Sequence, residues 1–130
     1  MRMRHVDRYV GELLMATGVL HTLVGLRAFR APLAVIGRDG VVNTVARTPD
    51  RRLAVWFLLY GLSTIHLGGL TRWAHHRTGT LPAFHGRALL GIAGLGVVLM
   101  PHSGFWLVLP QAALALVAAR RAERPAPLGE

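Results

Sequence analysis

The chain contains no cysteine, so disulfides, thiolate nucleophiles and thiolate metal ligands are excluded, and nothing about redox compartment follows. It contains no lysine either. All fifteen basic residues are arginine, a bias of codon usage that carries no mechanism. Acids are scarce, six in all, and charged residues make up 16% of the chain, where a soluble protein of this size carries about a quarter. There is no phosphate-cradling glycine loop, no nucleophile elbow and no H-E-x-x-H pair. Those absences remove the common signatures of nucleotide, acyl-transfer and zinc-hydrolase chemistry.

What is present is apolar. Hydrophobic residues fill 52% of 130 positions and the mean hydropathy is +0.41, with room for a single domain spanning residues 1–130. The chain is organised around Leu53–Leu70, LAVWFLLYGLSTIHLGGL, which lies between Arg51-Arg52 and Arg72. As a helix these residues span about 27 Å, close to the roughly 30 Å of a bilayer core. Nine of them are Leu, Ile, Phe or Val, which together favour insertion by about 3 to 5 kcal/mol before polar neighbours are counted. The net charge of +9 admits a nucleic-acid binder. Its placement in the chain ends and connections instead suits membrane orientation and anionic headgroups, so a lipid bilayer and not nucleic acid is the expected partner.

Three further apolar runs give spans at about 9–26, 83–100 and 105–119. The expected fold is all-α: a four-helix transmembrane bundle with a short interfacial helical segment between helices one and two. The first run is too long for a signal core, and no clean cleavage site follows, so it reads as a retained span. In it Gly11, Leu14, Gly18, His21 and Gly25 recur at spacings of three and four and share one face, a seam for close helix packing. Residues 27–52 form the long connection, expected to lie as one or two helical turns at headgroup level. Thr48-Pro49-Asp50 marks the next helix start. TRWAHHRTGTL, residues 71–81, reads as a polar link. The third span offers Arg87, Gly91, Gly94 and Val98 as a second packing face. Pro110 is expected to kink the fourth, with Gln111 bonding the freed backbone. The tail, 120–130, is expected to be disordered. Arginines favour both ends in the cytoplasm, although the six in the long connection weigh the other way.

Charged and polar groups inside a membrane are the functional candidates: Glu12, His21, His66 and Arg87. Glu12 has two readings, a proton-coupled carboxylate or a structural residue that reaches headgroups or pairs with Arg8, and Arg87 either snorkels or, as the preferred reading, pairs with Glu12 from a neighbouring helix. His21 lies about 180° around the helix from Glu12 and is expected to hydrogen-bond Ser63 or Thr64. His21 and His66 fall at depths about 8 Å apart, too far for one shared metal or haem. His66, His75, His76 and His85 could gather near the inner surface, but their spacing matches no metal motif. No cofactor, no metal and no catalytic residue is therefore expected.

The segments ATGVLHTLVG (Ala16–Gly25), RDGVVN (Arg38–Asn43), RTGTLP (Arg77–Pro82) and SGFWLVLPQ (Ser103–Gln111) resemble those of an uncharacterised bacterial family of small four-helix integral membrane proteins. The resemblance covers about Tyr9 to Ala119 and implies membrane topology and a multi-pass location in the bacterial plasma (inner) membrane, but assigns no catalytic residue. In size and span count the chain is also similar to DoxX-like membrane proteins, on architecture alone. Three functions compete. The first is a non-enzymatic accessory or interaction subunit, working with a second copy or a membrane protein partner. The others are a proton-coupled small-molecule transporter using Glu12 and a quinone- or haem-linked redox component.

Overall fold

The computed structural model describes residues 9–122, and among them every regular element is helical. Helix α1 runs Val10–Ala28, and the chain then bends by 72° into α2, Arg30–Arg38. Pro32 sits in the first turn of α2, where its missing N–H leaves no bond unmade. The connection continues as a structured clasp. Asp39 holds Arg51 at 2.8 Å and Arg47 at 3.4 Å, and Arg51 also donates to the Thr44 carbonyl at 3.0 Å. Thr44 is fully buried beneath it.

Helix α3, Pro49–Thr78, starts at the expected Thr48-Pro49-Asp50 signal. It is longer than the sequence suggests, about 45 Å. The expected link at 71–81 shrinks to Gly79–Pro82, because Thr71–Arg77 is polar but contains nothing that breaks a helix. The stop comes at Gly79, whose φ of +72° only glycine adopts without strain and whose N–H bonds the His75 carbonyl.

α1 and α3 lie antiparallel and touch backbone to backbone. Gly11, Leu14, Gly18 and Gly25 form the buried face of α1, as their spacing predicts, and Gly61 and Gly68 face them from α3. Gly11 meets Gly68, and Gly18 meets Gly61. A methyl placed on Gly11 would sit 2.6 Å from the Arg72 amide nitrogen, and one on Gly68 would sit 2.7 Å from the Gly11 carbonyl. Seven-residue spacing along both helices keeps the glycines on one seam, as in a heptad repeat.

α4 (Ala83–Leu99) and α5 (Val108–Ala122) form the second pair. α4 buries Gly86, Leu89, Ala93 and Gly96. The face expected from sequence, Arg87, Gly91, Gly94 and Val98, points elsewhere, and a methyl on Gly91 or Gly94 would meet no atom within 4 Å. The helix carries four glycines on two faces, and spacing alone does not choose between them. Between α4 and α5, Phe105 of the 3-10 turn Gly104–Leu107 folds back onto Gly96. Pro110 is the third residue of α5, in its first turn, so the expected kink is replaced by a helix start preceded by 3-10 geometry. α5 extends to Ala122, into the expected tail, and residues 123–130 lie outside the described part. The pairs join through a core of Val10, Leu14, Leu81, Leu89, Val108 and Ala112.

By length and composition, α3 is long and apolar enough to cross a membrane, and α1 with α2 would pass the same test if that bent pair is one span. α4 is apolar but has only 17 residues.

Candidate functional site

The polar groups inside the bundle are placed by the two glycine contacts. Because Gly11 lies on Gly68, Glu12 in the first turn of α1 comes beside Arg72 one turn further along α3. Glu12 Oε1 accepts from Arg72 Nε at 3.2 Å. This corrects the expected partner: Arg87 is on an exposed face of α4 and makes no ion pair among the described residues. The alternative pairing with Arg8 falls outside the described residues. Glu12 Oε2 is sealed from solvent and has no partner.

His21 reaches α3, but at the backbone and not at Ser63 or Thr64. Its Nε2 lies 3.1 Å from the Phe57 carbonyl, and its ring stacks on Phe57 with centroids 3.9 Å apart. A carbonyl only accepts, so Nε2 carries the proton. Tyr60 tilts against the same ring at 5.2 Å. His66 lies nine residues beyond Phe57, about 13 Å along α3, and is exposed on its outer side. The two histidines are therefore not brought together.

The remaining histidines do not gather either. His85 Nε2 meets Thr71 Oγ1 at 3.1 Å, and because the Thr71 hydroxyl already donates to the Leu67 carbonyl, it accepts from His85. That bond ties α4 to α3. His75 and His76 rings stand 6.5 Å apart at the end of α3. No group of three or more metal-ligating side chains occurs among the described residues.

Sequence reasoning missed one long-range cross-link. Gln111 Nε2 donates to Thr17 Oγ1 at 2.7 Å and to the Leu107 carbonyl at 3.0 Å, joining α5 to α1. Gln111 does bond backbone at the start of α5, as expected of it, but its other partner is 94 positions away. The usable signal is that Thr17 shares a flank of α1 with His21, one turn away. Above this bond the two helix pairs diverge and leave a cleft of about 160 Å³. Thr17 and His21 of α1, Tyr60 and Thr64 of α3, Phe105 of the 3-10 turn and Val108 of α5 line it.

Among the described residues the elements define an all-helical protein built from two close-packed helix pairs, cross-linked by the Thr71–His85 and Thr17–Gln111 hydrogen bonds, with the Glu12–Arg72 ion pair inside the first pair. Residues 5–122 match a family of unknown function, DUF6463, and the chain belongs to that family. No curated protein and no solved structure matches it.

Proposed function

We propose that the protein is an integral membrane bundle without catalytic activity, acting as an accessory or interaction subunit in a bacterial plasma membrane. The observation that carries this reading is the outside of α3. Only 17% of its apolar window is buried inside the molecule, whereas a core helix of a water-soluble protein is mostly buried. Leu62, Leu95 and Val98 are 54%, 61% and 78% exposed, too much apolar surface to leave in water. Lipid covers it at no cost. At about 1.5 Å per residue α1, α4 and α5 span roughly 22 to 28 Å, a shortfall that local thinning meets, while α3 at about 45 Å exceeds the core and carries its polar end into the headgroups. Both chain ends then lie on the cytoplasmic side.

The outer face of α3 supports the interaction role. Leu59, Ser63, His66 and Leu70 follow each other at spacings of four, three and four, opposite the glycine seam, and all are exposed. An imidazole within an apolar span is costly against lipid and is better covered by protein, either a second copy or another membrane protein. The Glu12 carboxylate, already paired with Arg72, gives the transporter reading less support.

Alkaline carbonate extraction of membranes from expressing cells tests the location: the protein stays in the pellet and leaves it only with detergent. Recovery of folded chain in the carbonate supernatant overturns the reading. Because the chain lacks cysteine, Ser63→Cys or His66→Cys in native membranes reports a symmetric α3 contact as a disulfide dimer. Co-purification of a stoichiometric partner with no such dimer places another protein on that face.

A further inference from the structure

The cleft between the helix pairs is more than a packing gap, because its hydrogen bonds are unequally spent. The Thr17 hydroxyl donates to the Leu13 carbonyl and the Thr64 hydroxyl donates to the Tyr60 carbonyl. The Nε2 proton of His21 is on the Phe57 carbonyl. The Tyr60 hydroxyl is hydrogen-bonded to the Thr64 side chain, whose own proton is already spent, so Tyr60 is the donor there. What remains free is acceptor capacity. The Cδ2 edge of the His21 ring faces α3, 3.1 Å from where a Gly61 methyl would lie, so the opposite edge, which bears Nδ1, is turned away from that helix. Nδ1 is a lone-pair acceptor in this tautomer, and no hydrogen bond to it occurs among the described residues. The His21 ring lines the cleft together with ring faces and aliphatic walls. Tyr60 and Phe105 stand edge to face at 6.1 Å. The volume, about 160 Å³, matches that of an apolar cavity that holds one benzene ring, about 150 Å³.

We propose that this cleft binds a small apolar ring carrying one hydroxyl group, a phenol in chemical class, with the hydroxyl donating to His21 Nδ1. A pocket with apolar walls and a few convergent polar groups is the common form of a small-molecule site. Here the walls select a ring and the spent donors select a ligand that brings its own hydrogen. The proposal does not depend on the membrane reading, since the cleft is lined by α1, α3 and α5 whichever medium meets its open mouth at Leu20, Val24 and Leu107.

The probes are phenol and toluene, which share size and shape and differ by the hydroxyl. The full chain is used, in lipid nanodiscs or in buffer according to the outcome of the carbonate extraction. Phenol binds at least about fivefold tighter than toluene, the scale of one net hydrogen bond, and moves the ¹⁵N resonance of His21 Nδ1. In His21→Phe, which keeps a ring against Phe57, the preference disappears while toluene binding persists. Gly104→Leu, at a position where an added methyl meets open space, fills the mouth of the cleft and removes binding of both. Equal affinity of the two probes, an unmoved Nδ1 resonance, or binding unaffected by Gly104→Leu overturns the proposal. So does the absence of binding by either probe to the folded wild-type chain.

Discussion

The two helix pairs solve the same packing problem with different residues. α1 and α3 meet through glycines at seven-residue spacing, so their backbones come within contact distance at Gly11 on Gly68 and Gly18 on Gly61, while Gly25 receives the Phe57 and Leu58 side chains. α4 meets α5 at Gly86 against Leu116 and meets the preceding 3-10 turn at Gly96 against Phe105, and Ala93, Ala112, Ala115 and Ala119 are the buried small residues of the second pair. In the bilayer proposed above there is no hydrophobic drive between helices, so close approach and dispersion would supply the association, and small residues maximise both. A glycine's effect therefore depends on which surface it occupies, and the same substitution should act oppositely at different places.

Gly68→Ala puts a methyl against the Met15 amide and the Gly11 carbonyl, both rigid backbone. It is expected to destabilise by about 3 kcal/mol, at the upper end of overpacking. A denaturant or thermal titration in detergent measures it, and a change below about 1 kcal/mol would show that the seam opens at little cost. The clasp comes next. Arg51→Ala removes the guanidinium, only 12% exposed, that joins Asp39 to the Thr44 carbonyl, for an expected loss of about 1.5 to 3 kcal/mol. Proteolysis within the 39–48 loop should rise with it. Gly91→Ala, on the open face of α4, is expected to stabilise by about 0.5 to 1 kcal/mol through helix propensity alone. Loss of stability there in native membranes, but not in detergent, would reveal a partner on that face. Arg72→Ala should have the smallest effect, about 0.2 to 1 kcal/mol, because both members of its pair with Glu12 are more than a third exposed.

The seam on α1 was legible because its glycines share one face and leave no second choice. On α4 they occupy two faces, and the choice between them is made by Leu116 and Phe105, whose positions depend on a turn that periodicity does not describe. The start of α3 was legible from Thr48-Pro49-Asp50, whereas its end was obscured by reading polarity as a break. Only Gly79 breaks the helix. The partners of Glu12 and His21 followed from the register of α1 on α3, which the sequence does not state. Once Gly11 is set on Gly68, Arg72 is the nearest cation to Glu12, and Phe57 lies opposite His21. Thr17 with Gln111 needed the second pair to be docked, and nothing local to either residue announces the other.

Single cysteines in this cysteine-free chain test most directly whether the apolar exterior lies in lipid. Leu62→Cys and Leu95→Cys sit at mid-helix on exposed apolar surface, and Thr80→Cys sits in the exposed link between α3 and α4. In isolated native membranes a water-soluble maleimide should label Thr80→Cys and leave the other two unlabelled until detergent is added. Equal labelling of all three in intact membranes, with the chain folded, would contradict the placement of those helices in the bilayer.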